Sequence, residues 1–279
     1  MNLDKYSLIL SGGDGGDTCH RMYTLFLRMA LLERVAPKDP IITKIHSYPI
    51  HPITTQQLLE PNQDGIYIRH CDPNFWGSDP RNHSRDQITP VICYHAYVGN
   101  KAAQTRLLKQ CIKRKMFAQN IYPNWVDPRI EPVKSKTPDF LTFELWGIFA
   151  RTYIYSIWFP LALLIILFGD LALIFSAMLK VWAPITQDGT LKFRWPKPND
   201  VDDDNINNVL MVTQYLFPTP LSYLARKIYK TFRRTNLGNT ALGELSPIMG
   251  ALVYYHRDTP DAQGNPEIAE AARRIVGRY

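Results

Sequence analysis

The sequence predicts a mainly α-helical protein built of helical hairpins, with long loops and one membrane-associated apolar helical segment. Three observations carry this expectation. Apolar residues recur at helical spacing in Thr18–Val35 and in 101–119. Long stretches rich in Pro, Asn and Asp separate such segments. The most apolar region, Phe140 to Trp182, is too long and continuous for a short strand. Of the 279 residues, 46% are hydrophobic and 20% charged, a balance that excludes a wholly disordered chain. Lys and Arg number 32 against 25 Asp and Glu, giving +7 with neutral histidines. The start, MNLDKYSLILSGG, lacks a basic region followed by a long apolar run, so no signal peptide is expected.

Along the chain, Tyr6 to Leu10 reads as a short strand or helical approach, followed by the glycine-acid loop Ser11 to Asp17. A helix then runs from Thr18 to about Val35, with Met22, Leu25, Phe26, Met29, Leu32 and Glu33 on one stripe and Pro37 ending it. Pro40 to His83 reads as a long structured loop containing a strand-like run, Gly65 to Ile68. A second helix begins near Ser84 and stops at Gly99-Asn100. In 101–119, Leu107, Leu108, Cys111, Ile112 and Met116 face one way and Arg106, Lys109, Lys113 and Arg114 the other. A proline-rich linker, Tyr122 to Pro138, precedes the apolar region, which is interrupted by Pro160. Helices are expected from about Asn205 to Leu216, from Leu221 to Arg234, and from Glu267 to Val276. These readings divide the chain into an N-terminal helical part (1–138), an apolar part (139–184) and a C-terminal helical part (185–279).

Trp158 to Leu179 contains one charge, Asp170, and is bounded by the interfacial aromatics Trp158 and Trp182. At 1.5 Å per residue this stretch would cross a hydrocarbon layer of ~30 Å. A carboxylate at its middle costs on the order of 3 kcal/mol on insertion scales. Basic residues on both sides give no orientation. Three readings follow: a full span, a buried helical hairpin with Pro160 near the start of its second arm, or a re-entrant insertion beside anionic lipid. Trp158, Leu164, Phe168, Leu173 and Trp182 are the candidate membrane residues.

Three helices begin in polar, mainly acidic clusters: Asp14-Gly-Gly-Asp17-Thr18, Ser84-Arg85-Asp86-Gln87 and Asp202-Asp203-Asp204-Asn205. Each Asp there is stabilised by free N–H groups and the helix dipole, by about 1 kcal/mol. Each cluster also holds more carboxylates and amides than a cap uses. Inner helices starting on one rim would gather these groups, and two carboxylates in different environments can divide proton donation from base or nucleophile work. Arg21 and Arg85 would hold carboxylates or an acidic sugar, while Trp76 and His95 would supply stacking and polar contacts.

Residues 13–18 (Gly-Asp-Gly-Gly-Asp-Thr) and Ser84-Arg85-Asp86-Gln87 resemble the acid-bearing helix starts of (α/α)-toroid carbohydrate enzymes, such as six-hairpin glycosidases and unsaturated uronyl hydrolases. The resemblance covers two short motifs and, more loosely, Asp202–Asn208. It implies an α/α toroid-like domain acting as a glycosidase on a saccharide, with Asp17 and Asp86 as acid and base and Asp14 and Asp204 as alternates. A complete six-hairpin toroid usually needs a longer chain, and a soluble member is not expected to carry an apolar run like 158–179.

Other chemistries fit less well. Cys19, Cys71, Cys93 and Cys111 stand singly, without C-x-x-C, so no metal site is expected even where His20, His70 or His95 lies close in sequence. The glycine loop is neither G-x-G-x-x-G nor a Walker A, and its aspartates repel phosphate, so no nucleotide or other cofactor is expected. Ser84 lacks a G-x-S-x-G context. The basic run Arg226 to Arg234 reads as a solvated helix face, and nucleic acid is not an expected partner. The rival to an enzyme is a structural subunit of a membrane or viral (phage) assembly, whose basic helices and apolar segment dock on anionic lipid or protein partners. Either reading places the chain on a membrane's cytoplasmic side or in a virion.

Overall fold

The computed structural model describes residues 3–10, 17–35, 37–38, 40–75, 78, 85–113, 140–182 and 204–232. The expectations for 114–138, for 183–203 and for everything beyond 232 lie outside these residues. The described chain is mainly helical: α1 (Thr18–Val35), α2 (Pro40–His46), α3 (Pro52–Leu59), α4 (Arg85–Tyr97), α5 (Lys101–Lys113), α6 (Phe140–Thr152), α7 (Phe159–Trp182), α8 (Asp204–Leu216) and α9 (Pro220–Phe232). The strand-like runs do not pair into a sheet; a lone bridge joins Leu3 to Ile9, and Ile68 bonds to the Leu59 carbonyl (2.8 Å).

Side-chain pairings fix the directions of the long helices. At the start of α1 and α4, the His20 N–H meets the Gln87 side chain at 3.0 Å. Further along, Tyr23 stacks edge-on to Tyr94, so α1 and α4 run parallel. Tyr97 at the end of α4 stacks with Tyr215 at the end of α8, 4.5 Å between ring centroids. Arg34 in the last turn of α1 donates to the same Tyr215 hydroxyl at 2.6 Å. Arg151 in the last turn of α6 donates to the Phe217 carbonyl just past α8 at 3.0 Å. Helices α1, α4, α6 and α8 therefore point the same way, and α5, α7 and α9 return alongside them. Helix α4 touches α1, α5, α6 and α8, which makes it the centre of the core. The buried cluster around it includes Met22 and Leu25 of α1, its own Ile92, Leu145 of α6 and Leu210 of α8, all fully buried.

Several local expectations need correction. The segment 40–83 is not all loop: α2 and α3 bury Ile42, Ile45, Thr55 and Leu59. The interruption near Pro160 is a turn at 153–158, and Pro160 sits in the first turn of α7, where its missing N–H is no loss. On α5 the inward side is Ala103, Gln104, Leu107, Gln110 and Cys111, whereas Ile112 is 55% exposed. Arg106, assigned to the outer face, instead reaches Glu60 through two bonds of 2.7 Å.

That ion pair clamps the loop after α3. Glu60 also accepts from the Gly65 N–H (2.8 Å) and from the Tyr67 hydroxyl (3.1 Å), which lies 3.0 Å from the His95 ring nitrogen. Burial pushes the Glu60 carboxyl up, but the Arg106, Gln56 and Gly65 donors hold it below its usual value. Gly65 has φ +86°, and a Cβ there would lie 2.5 Å from the Arg106 carbonyl oxygen. Gly65→Ala is expected to combine left-handed strain with this clash and cost about 1–3 kcal/mol. A drop of the thermal midpoint by several degrees would register it, and an unchanged midpoint would contradict the clamp.

Helices α6 and α7 form the hairpin allowed for in the sequence, closed by glycines: a Cβ on Gly147 would stand 3.4 Å from the Gly169 Cα. Asp170, the lone charge of the apolar run, faces the protein. One Arg151 nitrogen lies 2.7 and 2.8 Å from its two oxygens, and Thr219 donates to it as well. Both ion-pair side chains are fully buried. Among the described residues no helix is long and apolar enough to cross a membrane. One side of α7 packs against α6 and α9.

Candidate site at the shared helix rim

The parallel course of α1, α4 and α8 puts their acidic starts at one end of the molecule. Thr18 anchors α1 by donating to the Ile9 carbonyl (3.0 Å), and the Cys19 N–H bonds to the Arg69 carbonyl (3.0 Å). Asp17 is exposed, one residue ahead of the helix, and its carboxylate accepts from the Gln87 amide at 3.2 Å. Gln87 is itself buried, and its oxygen receives the His20 N–H. This glutamine therefore ties the first acidic start to the second, because Asp86 is its immediate neighbour in α4. Pro90 removes the N–H that would have bonded the Asp86 carbonyl, loosening the first turn of α4 at the rim.

The sequence-derived candidates fall into three groups. Asp17 and Arg21 are exposed at the rim. Arg85, Asp86 and Asp204 occupy the opening residues of α4 and α8, with side chains outside the described set, as are Asp14 and Trp76 altogether. His95 is corrected: it is 1% exposed, in the core between Tyr23 and Tyr67, where no saccharide can reach it. Burial keeps its ring neutral, with a pKa lowered to about 4. Among the membrane candidates, Trp158, Leu164 and Phe168 are exposed, whereas Leu173 is fully buried in the core. The Trp182 side chain lies outside the described residues.

Beside α1 the rim holds a polar group that spacing did not reveal. His70 is buried, 2.8 Å from Asp4 through Nε2, and its Nδ1 accepts the Asp72 N–H at 3.0 Å. That pattern puts the ring proton on Nε2, facing Asp4. Asp72 pairs with Lys5 at 3.1 Å. The Asn74 N–H, then Lys5, hold the Asp72 carboxyl below the ordinary range. These groups fasten the N-terminal segment to the loop around 66–75. The only sequence cue is the His70-Cys71 pair, which names neither Asp4 nor Asp72 as a partner. Among the described residues no His, Cys, Asp or Glu group is arranged to hold a metal ion. Burial pushes the thiols of Cys19, Cys93 and Cys111 up, so none is an activated nucleophile.

Compared with protein-family models, curated proteins and solved structures, the chain matches none.

Proposed function

We propose that the protein is a glycosidase-type hydrolase whose carboxylates work at the shared helix rim. The observation carrying this is the Gln87 bridge, which brings exposed Asp17 next to the residue that follows Asp86. In this reading one carboxyl protonates the leaving glycosidic oxygen while the other assists water or attacks the sugar carbon. A carboxyl separation of roughly 5–5.5 Å would give retention and roughly 6.5–9.5 Å inversion. Asp14 and Asp204 are the alternates, and Arg21, Arg85 and Trp76 bind the sugar. The resemblance of the two motifs to (α/α)-toroid enzymes supports the reading, as does the set of parallel inner helices with returning outer ones. Contact of α4 with both α6 and α8 departs from an open six-hairpin ring.

The test is hydrolysis of a panel of neutral and uronate-ended oligosaccharides by the full chain, by Asp17→Asn and by Asp86→Asn. Each substitution is expected to lower kcat by about 10²–10⁴ with an unchanged melting curve. Full activity in both variants, or no turnover of any saccharide by the parent, would overturn it. A second reading, an assembly subunit whose acidic helix starts only stabilise helix ends, draws on the exposed apolar face of α7. It predicts variants that lose stability and have no catalytic defect.

A further inference from the structure

We infer that the outer face of α7, with the turn before it, is a docking surface for an anionic lipid bilayer, on which the helix lies rather than crosses. This does not rest on the hydrolase reading. Large apolar side chains exposed to solvent are concentrated here: among the described residues only Ile53, Val98, Ile112 and, on α9, Tyr223 and Leu224 lie elsewhere. Leu161, Leu164, Phe168, Leu171 and Phe175 recur at spacings of three and four. They form one stripe about 21 Å long at 1.5 Å per residue. Phe168 is 64% exposed and Phe175 52%. Helix α9 packs beside α7 and itself carries exposed Tyr223 and Leu224. Monomeric soluble proteins rarely leave contiguous apolar patches larger than about a few hundred Å² open.

Two features select lipid over a second copy of the chain. A coiled-coil seam between protein chains in water is flanked by charged residues. Here the half-exposed positions bordering the stripe are Leu163, Ile165 and Leu167, and Asp170 is turned inward on Arg151. An apolar arc covering about half the helix suits hydrocarbon. The turn leading into α7 carries Tyr155, 99% exposed, and Trp158, 73% exposed. Amphipathic aromatics of this kind partition to the headgroup level. The same turn lies against the start of α5, where the Tyr153 hydroxyl bonds to the carbonyl of exposed Lys101 (3.0 Å). Lys227 lies on α9, one turn past Tyr223, and the whole chain is +7. The complementary partner is therefore an anionic surface. The back of α7, packed on α6 and α9, keeps the Asp170–Arg151 pair out of the lipid.

Flotation with phosphatidylcholine vesicles, with and without phosphatidylglycerol, tests this on the full chain and on Leu164→Glu/Phe168→Glu. Both substituted positions are exposed, so the variant should keep the parent's helical circular dichroism. Expected is flotation of the parent with anionic vesicles, weaker flotation with neutral ones, and at least a tenfold loss in the variant. Lys101→Glu, which alters charge without touching the stripe, should weaken only the anionic-vesicle binding. Equal flotation of parent and double variant, or no flotation of the parent, would overturn the proposal. So would a lipid-free dimer of the parent, seen by sedimentation, that the double variant abolishes. Asp17→Asn should float like the parent, which separates this result from the fate of the catalytic reading.

Discussion

Replacing Arg151 with methionine is expected to destabilise the protein by about 3–5 kcal/mol, a large share of the roughly 5–15 kcal/mol that holds a typical domain together. The substitution strands Asp170, which is fully buried and takes both its Arg151 contacts from one guanidinium nitrogen. It also frees the Phe217 carbonyl, so the α6–α7 hairpin loses its tie to the end of α8. Thr219 would remain its polar partner. Guanidinium denaturation measures the loss. Adding Asp170→Leu to the methionine variant should recover most of it, because an apolar pair avoids desolvating two charges. A single variant as stable as the parent would mean that the pair contributes nothing.

Glu144→Gln is expected to stabilise the protein increasingly as pH rises. Glu144 is fully buried in α6, and burial first, then the Asp170 charge, push its carboxyl well above 4.5 against the pull of Arg151. Above that unfolded value the unfolded chain releases a proton that the folded chain keeps. Stability therefore falls with rising pH, by up to about 1.4 kcal/mol per unit, until the folded value is passed. His95 works in the opposite sense. Its folded value of about 4 lies below the unfolded 6.5, so between these limits stability falls as pH is lowered. Where the two windows overlap the slopes cancel in the parent, and glutamine at 144 would expose the His95 slope alone. Urea titrations at successive pH values read this directly; a parent–variant difference independent of pH would refute the assignment for Glu144.

The long helices were legible because their patterns extend over several turns. The polar starts of α1, α4 and α8 marked both the helix ends and the rim they share. Short α2 and α3 were hidden, since seven and eight residues with an initial proline give too little periodicity to read. They hold through tertiary burial of Ile42, Ile45 and Leu59. The face of α5 was misjudged because a charge pattern sends Arg106 outward, whereas its partner Glu60 stands 46 residues upstream. Asp170 posed the same problem in reverse: its counter-ion precedes it by 19 residues on another helix. At the rim, Gln87 read as a member of a polar cluster and proved to be the bridge. The His70–Asp4 pair spans 66 residues and leaves no local trace.

The placement of α8 has a consequence for how the chain comes together. Its Tyr215 receives Arg34 from 181 residues earlier, and it completes the surroundings of α4, made far ahead of it. At roughly 5–20 residues per second of synthesis, the flank of α4 that receives α8 stays open for on the order of ten seconds. Closing so long a loop carries an entropic penalty that only the finished contact repays. Folding during synthesis is therefore completed by the late arrival of the α8–α9 pair, and chains interrupted before Asp204 are expected to emerge with an uncovered, aggregation-prone seam.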